Sequence, residues 1–346
     1  MESTGNAGRA LAAGKITVEL LTRLLAELPP PPPELRLGAR IGEDACAIDV
    51  TEGVIVAAAD PITLTSEEAG RLAVTVNAND VAVCGARPQW FLAVVLVPPG
   101  STEELVESLF RSIRHTLEEL GAHLVGGHTE VTSAVTRPVV VGHMLGRAEQ
   151  GRVVSTGGLA TGDLVVQVRP APIEGAAVLA REAPDLGGID RAMLGAAEKA
   201  LERPGISVVE PALLAAALGA TALHDPTEGG LAGGLNEMAA AGSRRIVVQR
   251  HSVLWFAPGI AVCEALGADP WSTLASGTLL ATFPPSAVEE AVAALVGDGD
   301  DAAVIGHVEE GTGVRDQDGE AIPWPDRDEV ARLLSDPGEG ERLGTI

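Results

Sequence analysis

One apolar stretch, Thr75 to Pro88, constrains the fold of this chain because three polar residues stand in its middle. Asn77, Asn79 and Asp80 are surrounded by valines and alanines, so the stretch predicts a largely buried helix. Asn77 and Asp80 are three residues apart and share one helix face. A buried carboxylate is costly unless a cation or several hydrogen bonds stabilise it. The stretch therefore predicts a helix that carries part of a functional site.

Two other acidic motifs offer ligands for the same cation. Asp44 lies in Gly42-Glu-Asp-Ala45 and Asp60 lies in Ala59-Asp-Pro61, and each motif adjoins an apolar run that predicts a strand. We therefore expect Asp44, Asp60 and Asp80 to converge on a divalent metal ion. The alternative for each acid taken alone is a helix N-cap or a turn.

Two glycine pairs are candidates for contact with an anion. The run His123 to Glu130 predicts a strand that leads into Gly126 and Gly127. Glycines after a strand let backbone N–H groups approach an anion closely, so this pair is a candidate phosphate loop. A simple tight turn is the alternative, and Glu130 would be a further acid near the metal cluster.

The second glycine pair follows Asp225-Pro-Thr-Glu. There Gly229 and Gly230 open an apolar helix, an arrangement that suits a ligand or anion at the helix N-terminus. The alternative is an ordinary Asp-Pro turn followed by a capped helix.

Composition excludes several classes of function. A net charge of −24 argues against a duplex-binding surface. The aromatic content of 2% removes the stacking platforms of a single-strand binder. The three cysteines form no C-x-x-C pair, so neither a zinc site nor a disulfide framework is predicted. Without a signal peptide or a run long enough to span a bilayer, we expect a cytoplasmic protein with no membrane contact.

Alternating helix and strand patterns over 346 residues predict an α/β (α+β) chain of two domains. The predicted units are an N-terminal helix with a Pro-rich linker at 1–33, domains at 34–150 and 151–325, and an acidic tail at 326–346 that contains a short helix. Predicted strands are 45–50, 54–59, 90–97, 138–145, 163–168, 275–282 and 302–308, and predicted helices are 16–28, 66–86, 101–120, 174–181, 191–201 and 211–218.

The strands of the first domain are nearly all apolar and do not alternate, which predicts burial on both faces. The helices at 66–86 and 101–120 can cover only one face. A second copy of the chain would close the other face, so we expect a homodimer.

The usual nucleotide motifs are absent. Gly8 to Lys15 approaches a Walker loop, but five residues separate its glycines and Ile16 replaces the Ser or Thr. No G-x-G-x-x-G opens a helix after a strand. Any chemistry must therefore use the dispersed acids and the glycine pairs.

Taken in order, the motifs resemble the aminoimidazole ribonucleotide synthetase-like (PurM-like) superfamily over residues 15 to about 325. Within it, the chain looks most like the hydrogenase expression/formation proteins of the E type, which act in hydrogenase maturation. The motifs that carry the resemblance are Gly42-Glu-Asp-Ala45, Asp60, Asn77 to Asp80 with Gly85-Ala86, Gly126-Gly-His-Thr-Glu130, Gly162-Asp163, Asp225 to Leu231 and Ser276-Gly-Thr-Leu279.

The resemblance implies a PurM-like two-domain fold whose N-terminal sheet pairs with its copy, and ATP held through Mg²⁺ between the domains. It implies metal ligands at Asp44, Asp60, Asp80 and Asp225. It implies cofactor contacts at Asn77, Gly126, Gly127, Glu130, Thr227, Gly229 and Gly230. Two histidines inside these motifs, His128 and His224, are candidate acid-base catalysts, with a structural role as the alternative for each.

The function that follows is an ATP- and Mg²⁺-dependent enzyme. It would activate an amide or carbonyl oxygen, of a small molecule or a protein-borne acceptor, by phosphoryl transfer. One alternative is a small-molecule kinase of the thiamine-monophosphate kinase type. Another is an ATP-binding maturation partner that docks another protein without turnover.

Two departures from the resembled pattern limit this expectation. The superfamily's usual Gly-Asp-Asp-Ala is Gly-Glu-Asp-Ala here, with the second acid kept. The hydrogenase maturation branch ends in a cysteine that carries and dehydrates a carbamoyl group, whereas this sequence ends in Arg342 to Ile346. We therefore do not expect carbamoyl dehydration on its own tail in the manner of that branch.

Overall fold

The computed structural model describes residues 18–26, 32–38, 40–43, 45–63, 68–148, 152–183 and 186–335. Asp44, most of the proline run and the predicted helix start at Thr65 lie outside the described residues. None of the helices within this part of the chain is long and apolar enough to cross a membrane. The three cysteines are free thiols.

The first sheet has six strands in the order β1-β2-β3-β6-β4-β5. Neighbouring strands run antiparallel except β4 and β5, which run parallel. Its elements, with the helix α1 that precedes them, are α1 Val18–Ala26, β1 Leu35–Leu37, β2 Ala45–Val50, β3 Gly53–Ile62, α2 Ala69–Val83, β4 Ala86–Val97, α3 Glu103–Leu120, β5 His123–Val131 and β6 Val139–Ala148.

The two faces of this sheet differ in burial. Alternate residues such as Val54 and Val56 are buried on the face that α2 covers, and the residues between them are half-buried. In the single chain one face is therefore covered by helices, and burial of the other face by a second copy stays a prediction. Among the described residues, the helices that pack on the central strands include α2 and α6 (Val209–Ala217). The second face is partly open.

The second sheet also has six strands, in the order β12-β9-β11-β7-β10-β8. Its strands are β7 Leu164–Val168, β8 Ala222–His224, β9 Arg245–Val248, β10 Leu279–Phe283, β11 Ala302–Glu309 and β12 Gly313–Asp316. Its helices are α4 Glu174–Glu182, α5 Arg191–Glu198, α6 Val209–Ala217, α7 Gly230–Gly242, α8 Ala257–Leu266, α9 Val288–Gly297 and α10 Glu329–Ser335.

Sequence patterns missed the short strands β1, β8, β9 and β12 and the helices α8 and α9. The predicted strand at 275–282 begins only at Leu279, because residues 275–278 form a turn closed by the N–H of Thr278 and the carbonyl of Ala275. Gly277 supplies the positive φ of +101° that this turn requires. The short helix predicted in the tail is present as α10.

The two sheets share a hydrophobic core. One cluster of buried residues includes Val83 and Phe91 from the first domain and Val168, Leu279 and Phe283 from the second. Polar contacts reinforce this junction. Asn79 of α2 donates to the carbonyl of Ile206 and accepts from the N–H of Val208, both at 2.9 Å. A buried polar residue of α2 therefore joins the two domains.

Candidate functional site

Asn77 connects α2 to the strand that carries Asp60. Its side-chain oxygen accepts the N–H of Asp60 at 2.8 Å, and its side-chain nitrogen donates to the carbonyl of Asp60 at 3.2 Å. The same nitrogen donates to the carbonyl of Ala73 at 2.8 Å. The amide is thus engaged by backbone groups, and its observed effect is to hold Asp60 in place. Contact of Asn77 with a cofactor stays a prediction.

The buried acids of the site lie on both sides of the domain junction. Asp80 of α2 and Asp225, which follows β8, are each 2% exposed, and α2 contacts both β8 and β3. Asp60 is exposed and lies within β3, one residue past the predicted strand end. The helix α2 therefore lies between Asp60 and Asp225.

Convergence of the acids on a metal ion stays a prediction. In the part of the chain that the structure describes, no three His, Cys, Asp or Glu residues form a group that could hold a metal ion. Asp44, the fourth predicted ligand, is outside the described residues.

His224 is buried and pairs with an acid that sequence reasoning missed. Its Nε2 lies 2.8 Å from Oε2 of Glu237 on α7, and the two side chains are 2% and 13% exposed. A Cβ on Gly234 would lie 3.3 Å from Cδ2 of His224, so the imidazole packs directly on α7. The pair therefore fixes β8, and with it the adjacent Asp225, against α7. This geometry favours the structural alternative for His224.

The N-terminus of α7 is tightly built. Gly229 and Gly230 have positive φ values of +86° and +63°. A Cβ on Gly230 would lie 2.6 Å from the carbonyl oxygen of Trp271, so no larger residue fits. The N–H of Gly230 donates to the carbonyl of Thr227 at 3.0 Å, and that of Gly229 donates to the carboxyl of Asp328 at 2.8 Å. Both amides, which the sequence predicted to contact a ligand or anion, therefore donate to protein groups in this structure.

The other glycine pair lies inside a strand. Gly126 and Gly127 are in the middle of β5, the edge strand of the first sheet, and not in a loop after it. A Cβ on Gly127 would lie only 2.0 Å from the carbonyl oxygen of Ala93, which explains the glycine by close approach to β4. The prediction that the strand ends at the glycine pair is wrong, because pairing with β4 continues through it.

His128 and Glu130 share this exposed strand. Their side chains are 65% and 52% exposed and lie 3.5 Å apart. β6 and β4 separate β5 from β3, which places β5 about 14 Å from Asp60 at about 4.8 Å per strand. Within a single chain Gly126, Gly127, His128 and Glu130 are therefore separated from Asp60, and their contact with a cofactor stays a prediction.

Glu174 is a buried acid that no sequence motif marked. It is the first residue of α4 and is 8% exposed. Loss of solvation on burial raises the pKa of its carboxyl, and nearby Glu228 acts in the same direction, while a hydrogen bond with Ser276 and the charge of Arg71 oppose the shift. Glu174 thus lies between the helix α2 and the Asp225 to Gly230 motif.

Glu43, which replaces the usual Asp of its motif, connects the two domains. Its carboxylate accepts the N–H groups of Thr156 and Gly157, both at 3.3 Å, and pairs with Arg40 at 2.9 Å. Its side chain is 1% exposed. The longer acid therefore serves as a bridge at the entry to the second domain.

Comparisons with known proteins agree with this architecture. The family model of the AIR synthase related protein N-terminal domain matches residues 42–148, and that of the C-terminal domain matches residues 160–319. Carbamoyl dehydratase HypE of Escherichia coli K12 is 30% identical over 264 residues, which cover 74% of this chain and 75% of that protein. HypE of Rhodobacter capsulatus is 28% identical over 80% of this chain and 81% of its own length.

Solved structures share the fold at lower identity. HypE in complex with ATP superposes with a TM-score of 0.69 at 22% identity, covering 92% of this chain and 98% of that one. The HypE–HypF complex gives 0.69 at 23% identity, with coverage of 83% and 94%. AaThiL complexed with AMPPCP and TMP gives 0.68 at 20% identity, with coverage of 89% and 94%.

These matches span both sheets and the junction between them. The chain therefore belongs to the AIR synthase related protein family.

Proposed function

We propose that this protein is an ATP- and Mg²⁺-dependent enzyme that activates an amide or carbonyl oxygen by phosphoryl transfer. The observation that carries the proposal is the placement of two buried acids, Asp80 and Asp225, where α2 of the first domain meets β8 of the second. Relatives named carbamoyl dehydratase and a HypE structure with ATP support the choice of reaction and cosubstrate.

The acids fit Mg²⁺ in its nucleotide-bound form. In ATP-using enzymes Mg²⁺ is commonly held by one or two carboxylates and by the phosphates of the substrate, so a cage of three protein ligands is not required. Carboxylate oxygens at Asp60, Asp80 and Asp225 supply donors of the kind that this ion prefers. When bound, the ion would neutralise charge on the phosphates during transfer.

The chain's own residues position these groups. Asn77 holds Asp60 through both backbone atoms, and the pair of His224 and Glu237 holds the strand before Asp225. Asn79 joins α2 to the second domain. Because the groups come from both domains, relative movement of the domains would separate them. The hydrogen bonds at the junction therefore preorganise the site.

We further propose that the protein is a homodimer formed through the first sheet. All nine residues of β5 are exposed, and Leu124, Val125 and Val131 expose 41%, 54% and 63% of their surface. An exposed edge strand with apolar side chains is a ready template for another chain. A second copy would also place its own site next to four predicted site residues of β5, which are Gly126, Gly127, His128 and Glu130.

Two alternative functions are each supported by one of the similar solved structures. The likeness to AaThiL with AMPPCP and TMP favours simple phosphoryl transfer to a small molecule. The HypE–HypF complex favours a nucleotide-binding partner that docks another protein. Rapid ATP turnover with a small acceptor would support an enzyme, and nucleotide binding without turnover until a second protein is added would support the docking role.

The central experiment is calorimetric titration of ATP with Mg²⁺ into wild type and Asp80→Asn. The amide keeps the shape of the carboxylate and removes a buried charge, so the fold should remain while affinity falls about tenfold or more. Asp298→Asn, at an exposed acid after α9, is the matched control and should bind as wild type does. Equal affinity of Asp80→Asn and wild type would remove Asp80 from the site.

A further inference from the structure

The side of the first sheet that faces away from α2 is apolar and accessible. Along β3, β6 and β4, buried residues alternate with residues that are partly exposed. Side chains alternate between the two faces of a strand, so the partly exposed residues share the side away from α2. We call this side the outer face, and its residues include Ile55, Ala57, Leu92, Val94, Val141 and Leu145.

His143 lies in the middle of the outer face. It is half-buried, near the centre of β6, and its Cα partners are Ala59 on β3 and Leu92 on β4. Its neighbour Gly142 points to α2, because a Cβ there would lie 2.4 Å from Nδ2 of Asn77. The imidazole of His143 therefore points to the opposite side of the sheet, away from the contact between Asn77 and Asp60.

No charged side chain of the described strands adjoins His143 on this face. In register and along the strand its neighbours are Ala59, Leu92, Val141 and Leu145. The other titratable or charged residues on the outer side of β2 to β6, and in the turn between β2 and β3, lie at its borders, and they are Cys46, Glu52, Arg87, His123, His128, Glu130 and Arg147. A protonated imidazole would therefore have no counter-charge at the centre.

The outer face has the size and charge that suit a second copy of the chain. Five strands of about ten residues cover roughly 800 Å² at about 4.8 Å per strand and about 3.3 Å per residue, which is about the area that each partner buries in a standard interface. With neutral histidines, the two arginines balance the two glutamates at its borders, although the whole chain carries −24. Two copies can therefore approach at this face without strong repulsion.

Pairing of two outer faces would bury two copies of His143. A twofold interface uses the same patch on both chains, so a residue at its centre is buried on each. A neutral imidazole is tolerated between apolar surfaces more readily than an imidazolium, which would be a buried charge without a partner. Histidine ordinarily changes its charge between about pH 5 and pH 8. The stability of such a dimer would therefore depend on pH in that range.

We propose that His143 is a pH switch for the homodimer. The dimer requires a neutral imidazole on both chains, and protonation in mildly acidic solution separates them. The inference rests on the proposed homodimer, and it adds the condition under which that dimer forms.

The test is sedimentation of wild type and His143→Gln at about pH 8 and about pH 5.5, with circular dichroism to show that each protein stays folded. At the lower pH an ordinary histidine is about 90% protonated, so we expect the wild-type dimer to weaken about 100-fold, tenfold for each chain. The glutamine is neutral at both values, so the dissociation constant of His143→Gln should stay the same. His115→Gln, at a histidine of α3 whose side chain is 73% exposed, is the matched control and should respond as wild type does.

The number of protons linked to dissociation tests the same claim without a variant. The logarithm of the wild-type dissociation constant should fall by about two for each pH unit below about pH 6, since two protons leave when two chains associate. A dissociation constant that does not change with pH would overturn the switch alone, and a wild-type monomer at about pH 8 would overturn the proposed homodimer as well. A pH response kept in His143→Gln, or lost in His128→Gln, would overturn the role of His143.

Discussion

The two glycine pairs of this protein look alike in sequence and occupy opposite environments. Gly229 and Gly230 open a buried helix with two positive φ values and two engaged N–H groups. Gly126 and Gly127 lie in an exposed edge strand, where the second lets β4 approach. A glycine pair therefore marks a backbone conformation or a close approach. Whether an anion binds there depends on what already occupies the N–H groups.

Adding a methyl group to a glycine should give the largest difference in stability, between the crowded position Gly230 and an open position elsewhere. Gly230→Ala combines a φ of +63° with a Cβ 2.6 Å from a backbone oxygen, so we expect a loss of about 3 kcal/mol or more in the free energy of unfolding. Gly267→Ala has a similar φ of +61° and no atom within 4 Å of the Cβ. Gly267→Ala therefore isolates backbone strain, and it should lower the free energy of unfolding by about 1 kcal/mol. Denaturant unfolding measures both, and equal losses would show that the contact with Trp271 is relaxed.

The histidine–glutamate pairs beside the two glycine pairs should differ as well. Glu237→Ala removes the partner of buried His224, which lies 2.8 Å away. This change should lower the free energy of unfolding by about 3 kcal/mol. Glu130→Ala removes the exposed partner of His128 and should lower the free energy of unfolding by less than about 0.5 kcal/mol. Thermal and denaturant unfolding of the two variants compare them directly. Similar losses would mean that β5 is buried in the protein in solution.

The buried acids near α7 should make stability depend on pH. Asp328 has its pKa raised to about 7 and Glu174 has its pKa raised in the same direction, so the folded state binds more protons than the unfolded state above pH 4. Stability should then fall as pH rises from about 4 to about 7, by roughly 3 kcal/mol for Asp328. Urea unfolding across this range should show the slope, and Asp328→Asn should reduce it. A slope unchanged in the variant would contradict the raised pKa of Asp328.

The smallest expected effect on the fold itself is at the edge strand. Val125→Lys places a charge at a residue that is 54% exposed in the single chain, so the fold of each chain should remain intact. If β5 forms the dimer, sedimentation at micromolar concentration should give a dimer for wild type and a monomer for the variant. The wild-type dimer should be insensitive to salt because the contact is apolar. A folded wild-type monomer would contradict the proposed assembly.

Much of the fold could be predicted from sequence periodicity. Helices such as α2, α3 and α4 and strands such as β2, β7 and β11 lie close to their predicted positions. The short strands β1, β8, β9 and β12 were missed because three or four residues carry too little pattern. The site was predicted less completely, because Glu174, Glu237 and Asp328 belong to no recognisable motif.

The sequence by itself determined that Asn77, Asn79 and Asp80 must find partners, because polar groups in an apolar helix cannot be buried without them. It also determined the two α/β domains and, through the order of its motifs, the family. Only the tertiary structure decided which partners they find. The backbone at Asp60, which binds Asn77, is 17 residues away, and the backbone at Val208, which binds Asn79, is 129 residues away. Hydrogen bonds act over about 3 Å and depend on direction, so no local pattern can specify partners that the chain brings together only when both sheets have formed.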